Sequence, residues 1–118
     1  SDDTGRARSG GQGSWLRGIE MTQKGYLIVE AKVSDPEAYE IYKNLAQEAI
    51  AQYGGRYLVR GGAVEILEGS WTKLPRLVIV EFESVDQARC FYNSAEYQTA
   101  RKARERIAEM NMLVVAGI

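Results

Sequence analysis

From Gly25 to Val33 the chain alternates, with Leu27, Val29, Ala31 and Val33 set against Tyr26, Ile28, Glu30 and Lys32. This is the period of a strand with one wholly apolar face. Ser34-Asp35-Pro36-Glu37 then has the form of a capping box, with Ser34 as N-cap, Glu37 reaching back and Pro36 tolerated in the first turn. Ala38, Ile41, Tyr42, Leu45, Ala49, Ile50 and Tyr53 recur three and four residues apart and predict one helical stripe. Gly54-Gly55 stand where a helix needs a left-handed C-cap. A second strand is expected from Arg56 to about Leu67, with Tyr57 and Val59 on one face and Leu58 and Arg60 on the other. Gly61-Gly62 interrupts it as a bulge or a hairpin turn. A loop from Gly69 to Pro75, carrying Trp71, leads into a third strand, Arg76 to Glu83, in which Val78, Val80 and Phe82 share a face. Ser84-Val85-Asp86-Gln87 is a second capping box and opens another helix beside Ala88 and Phe91. Asn93-Ser94 breaks or bends that helix, and Ser94 recaps a segment expected to reach Glu109. Met112 to Ala116 reads as a short last strand.

The order β-α-β-β-α-β, joined by right-handed crossovers, makes an α+β fold of ferredoxin-like type. Its antiparallel four-stranded sheet carries both helices on one face. The other face is left bare, and on this alternation it holds Ile28, Leu58 and Ile79 interleaved with Glu30, Arg60 and Glu81. An apolar face of that extent marks an interaction surface. A second copy related by a two-fold axis covers it with its own like face, so a homodimer is expected.

At 118 residues with 45% hydrophobic content there is one core's worth of chain. Residues 1–20 hold five glycines, three serines and six cancelling charges with no apolar period, so they are expected to be a disordered leader or expression tail. Residues 21–118 are then the single domain. Trp15, Leu16 and Ile19 could dock on a neighbouring surface. Lysine and arginine total 15 against 16 acidic residues, a net charge of −1, which argues against nucleic acid as a partner. Histidine is absent and Cys90 is the lone cysteine. The commonest metal ligand and the usual triad base are therefore missing, and neither metal nor cofactor is expected. Without an apolar run long enough to span a bilayer, or a secretory leader, a cytoplasmic location and no membrane partner are expected.

Six residues are candidates for a ligand site. Arg60, before the glycine pair, can clamp a carboxylate or phosphate with two parallel hydrogen bonds, or form an ion pair with Glu30 or Glu81. Trp71 offers a flat apolar wall with one N–H donor, or a plug at a dimer interface. Tyr92, Ser94, Tyr97 and Arg101 bring phenol, hydroxyl and guanidinium together near a helix start, with Tyr97 and Arg101 on one helical face; the competing reading is core packing. Tyr39 and Tyr42 either close the same cleft or simply pack. Cys90 is expected to be a small buried hydrophobe. Glu68, Glu81 and Glu83 show no spacing that names an acid and a base, so no catalytic residue is assigned, and the GxGxxG spacing of a dinucleotide site is missing.

YGGRYLVRGG at 53–62, LEGSW at 67–71, RLVIVEFES at 76–84 and FYNSAEYQTARKAR at 91–104 together resemble the bacterial family catalogued as domain of unknown function 1330, over roughly Met21 to Ile118. The resemblance implies a dimeric α+β barrel in which two ferredoxin-like sheets face each other, and it supplies no reaction. More distantly the fold looks like that of small cofactor-free monooxygenases, an analogy of fold alone. The expectation is a homodimer with a pocket between sheet and helices that binds or converts a small anionic or aromatic metabolite without metal. The alternative is a non-catalytic ligand-binding or structural dimer.

Overall fold

The computed structural model describes residues 23–71, 74 and 76–118. The expected leader at 1–20, with Trp15, Leu16 and Ile19, lies outside the described residues. So do Thr72, Lys73 and Pro75 of the loop after Gly69.

β1 (Gly25–Val33) buries Leu27, Val29 and Ala31 on one side, as its alternation requires. α1 (Pro36–Gln52) follows, but its N-cap is Asp35, whose carboxylate accepts from the Ala38 N–H at 3.1 Å. Ser34, the expected cap, is drawn away by tertiary contact: its backbone N–H and its hydroxyl both donate to the Ile107 carbonyl, at 2.8 and 3.0 Å. The helix turns Tyr39, Tyr42, Ala46, Ala49 and Ile50 inward. Ile41, expected in that stripe, is 61% exposed.

Gly54, at φ 78°, ends α1 in the left-handed region as expected. Gly55 is required for a different reason, since a Cβ there would sit 2.7 Å from Ile50 Cγ2 and 2.8 Å from Phe82 Cε1. β2 (Arg56–Arg60) is much shorter than expected and stops before the glycine pair. β3 (Arg76–Phe82), α2 (Val85–Asn93), α3 (Ala95–Ala103) and β4 (Ala108–Ala116) complete the described elements. Ser84 caps α2 through the Gln87 N–H, as the second capping box predicts. The segment expected to run as helix to Glu109 ends at Ala103, and the last strand begins at Ala108, earlier than the alternation alone indicated.

The sheet order is β2-β3-β1-β4, all pairs antiparallel, which is the ferredoxin-like arrangement. The core lies between the sheet and the helices. Aromatic rings dominate it, with Phe91 4.7 Å from Tyr97 and 5.2 Å from Phe82 between ring centroids.

One irregularity decides the site. Tyr57 is paired with Val80, yet Val59 is paired with Ile79, so Leu58 is an extra residue in the ladder. Beyond this bulge Arg60 stands opposite Val78, an inward position, and Val59 stands opposite outward-facing Ile79. Arg60 is therefore on the helix side of the sheet. The outer face instead carries Tyr26, Ile28, Leu77, Ile79, Val59, Leu113 and Val115, and Leu113 is 55% exposed. Polar pairs border it: Arg56 donates to Glu81 at 2.8 Å, Tyr26 to Glu81 at 3.0 Å and Asn111 to Glu30 at 3.0 Å.

Candidate functional site

The inward phase of β3 places Arg76 on the same face as Val78, Val80 and Phe82, at the end of the sheet beside Arg60. α1 contributes Tyr39, Tyr42 and Lys43 from above, β2 Tyr57, α3 Tyr97 and β4 Met110. Together they line a cavity of about 40 Å³ of water-accessible space between α1, α3 and the sheet. Every charged residue among the described lining is a cation: Lys43, Arg60 and Arg76.

Inside the cavity wall the Tyr42 and Tyr97 hydroxyls are 2.9 Å apart, and Tyr42 also points its hydroxyl at the Met110 sulfur at 3.9 Å. The Arg104 guanidinium lies 5.6 Å from the Tyr42 ring centroid. Burial, with Tyr97 adding to it, pushes the Tyr42 phenol far above its ordinary value. Burial also raises Tyr39 and Tyr57, with the cations Arg76 and Arg60 respectively working the other way. These phenols are hydrogen-bond donors at neutral pH, not bases. Arg60 donates to Gln47 Oε1 at 2.9 Å and covers the Tyr57 ring at 4.5 Å, so neither expected ion pair, with Glu30 or with Glu81, is formed. The arrangement can donate hydrogen bonds and positive charge to a small acceptor, and no described lining residue is a carboxylate that would accept a proton.

Of the six sequence candidates, Arg60 and Tyr97 line this cavity. Tyr97 is 1% exposed and serves both the cavity wall and the core. Ser94 is buried at the joint of α2 and α3. Its hydroxyl donates to the Phe91 carbonyl at 2.6 Å and accepts from the Tyr97 N–H at 3.0 Å, so its polar capacity goes to capping. Tyr92 lines a separate groove of about 200 Å³ between α2 and β4, with Arg89, Met112 and Leu113. Arg101 lies 5.6 Å over the Tyr92 ring and donates to Gln98 at 3.2 Å. Trp71 is 55% exposed in the loop after β2 and lines neither cavity. Cys90, expected to be buried, is exposed on α2; Ala88 and Phe91 set the inward phase of that helix, and Cys90 falls outside it.

Sequence reasoning passed over Arg76, Tyr57 and Lys43. For Arg76 the signal was present: a charged residue in phase with three apolar ones on a strand marks an inward charge. Among the described residues no group of three or more histidine, cysteine, aspartate or glutamate side chains could hold a metal ion.

Fold and cavity together define the class, a ferredoxin-like α+β domain with a cationic, phenol-lined cavity between its sheet and helices. Over residues 24–118 the chain matches the domain of unknown function 1330, and it belongs to that family. Its fold is shared by a protein of unknown function from Rhodopseudomonas palustris, at 15% identity and a TM-score of 0.68, covering 88% of this chain and 92% of that one. A conserved protein of unknown function from Bacteroides thetaiotaomicron VPI-5482, described as a possible oxidoreductase, is similar at 13% identity and a TM-score of 0.56, over 80% of this chain and 98% of that one. A dimeric protein of unknown function with a ferredoxin-like fold from Bacteroides fragilis NCTC 9343 is similar at 16% identity and a TM-score of 0.50, over 79% of this chain and 95% of that one. No curated protein matches the chain.

Proposed function

We propose that two copies of this chain pair through their outer sheet faces and that each binds a small anionic metabolite, without metal, in the cavity between α1, α3 and the sheet. The observation that carries the ligand reading is the charge of the wall. Lys43, Arg60 and Arg76 surround buried phenols, and only Lys43 of the three has a carboxylate partner among the described residues, Glu40 at 3.0 Å. Unneutralised cations in a half-buried setting favour an anion from solution. The pairing reading draws on the exposed apolar centre of the outer face and on the dimeric relative of the same fold. Among the described residues no helix is long and apolar enough to cross a membrane, and an exposed free Cys90 suits the reducing cytoplasm in which we place the protein. A second reading, a structural dimer without a ligand, draws on the smallness of the cavity and on the capping role that occupies Ser94.

Thermal-shift measurement against a panel of small anions and neutral analogues separates the two. Anions that raise the melting temperature of the wild type, and raise it less in Arg60→Ala, support the ligand reading. Anions and neutral compounds that leave it equally unmoved leave the structural dimer.

A further inference from the structure

One donor in the cavity wall is left unanswered. Arg76 Nε is buried and finds no hydrogen-bond acceptor among the described residues. Nor does any described carboxylate form an ion pair with Arg76. A buried guanidinium N–H without a partner is unfavourable, and such a group calls for an acceptor. Tyr39 and the Gly61 backbone flank the guanidinium. Gly61, at φ 72° and donating its N–H to the Leu77 carbonyl at 2.7 Å, lies against it so closely that a Cβ would come within 2.7 Å of Arg76 Cζ. At that positive φ glycine is favoured over any residue with a side chain.

Charge narrows the acceptor. Lys43 is paired with Glu40, and Arg60 donates to Gln47 and covers the Tyr57 ring, which leaves Arg76 as the cavity cation with an unanswered donor among the described residues. One guanidinium fork matches a planar, singly charged carboxylate head, whereas a phosphate dianion brings a second charge that this fork does not balance. The lining residues nearest solvent, Lys43 and exposed Arg60, mark the open end through which the rest of an organic acid would leave.

We infer that the cavity is a subsite for the carboxylate head of an organic acid, held in a two-pronged pair by the Arg76 guanidinium. Tyr42 turns its hydroxyl from the Met110 sulfur, a weak acceptor, towards the anion. This rests on the anion-binding reading above and narrows it to one head group and one anchor.

The test titrates formate, acetate, inorganic phosphate and acetamide into the full chain, read by thermal shift and by amide chemical shifts. Formate and acetate are expected to raise the melting temperature with concentration while phosphate and acetamide do not. Arg76→Gln should raise the acetate dissociation constant by at least about tenfold, Arg76→Lys should recover little because an ammonium lacks the fork, and the exposed control Lys102→Gln should change nothing. Phosphate stabilising the protein as well as acetate would overturn the carboxylate head and leave the anion reading standing. Acetate affinity unchanged in Arg76→Gln and Arg76→Lys would overturn the anchor. An effect from none of the anions would remove both readings. If Arg76→Gln does not fold, acetate-induced shifts in the wild type decide: changes centred on Tyr57, Gly61 and Val78 support the subsite, and changes confined elsewhere overturn it.

Discussion

Tyr42 shows how burial turns an ordinary side chain into a determinant of stability. Its phenol stays protonated far above the ordinary value of 10.0 because the core disfavours a phenolate, with Tyr97 adding to the effect. Above about pH 10 an unfolded chain gives up that proton while the folded one keeps it. The folded state then binds more protons, and stability falls as pH rises. Below about pH 9 both states hold the proton and the contribution is intact. Urea unfolding should therefore show a flat stability between about pH 7 and pH 9 and a decline above about pH 10 of up to about 1.4 kcal/mol per pH unit from this group. Tyr42→Phe should make that decline shallower; an equal slope in the variant would locate the loss in other groups. At this scale the sequence was partly legible. Tyr39 and Tyr42 could be weighed as cleft residues from their place on α1, and Arg76 was in phase with the core. Ser94 was legible as a helix cap, and capping is what takes its hydroxyl away from a ligand: it accepts from the Tyr97 N–H and donates to the Phe91 carbonyl.

Elements are where short sequence signals met competition. Both Ser34 and Asp35 are good N-caps, and the choice was made by Ile107, far away in sequence, whose carbonyl takes both of the Ser34 donors. The bulge in β2 is a similar case. The Gly61-Gly62 pair predicts the irregular point there, yet the extra residue is Leu58, because the register against β3 sets where two residues face one. That slip moves Arg60 from the outer face to the cavity and Val59 the other way. Ser94 is the element-scale test. It ends α2 and caps α3, so Ser94→Ala removes the acceptor for the Tyr97 N–H and should cost about 1–2 kcal/mol in chemical denaturation. Because Tyr97 sits just beyond the cap, the same variant should weaken the Tyr42–Tyr97 contact. A loss indistinguishable from that of an exposed alanine substitution such as Thr99→Ala would show that the cap is dispensable.

For the whole molecule, the unsolved question after folding one chain is the outer face. Ile28, Ile79 and Leu113 occupy its centre, while Glu30–Asn111 and Arg56–Glu81 sit at its borders. An apolar centre with a polar rim has the anatomy of an interface. Ile28→Glu puts an unpaired carboxylate at that centre and should weaken self-association by about 3 kcal/mol, or roughly a hundredfold in dissociation constant. Sedimentation velocity across a dilution series checks this, with the far-UV spectrum confirming that the subunit still folds. A wild type that sediments as a 13.2 kDa particle at every concentration would refute the pairing.

The sequence by itself determined the element order, the ferredoxin-like topology, the Gly54 stop and the Ser84 and Ser94 caps. Each follows from local periodicity or from a side chain within three residues of the group it satisfies. Tertiary structure alone decided which N-cap α1 uses, where β2 slips, and hence which face carries Arg60. Those outcomes depend on a partner strand or a distant carbonyl, and no short window of residues contains both sides of such a contact.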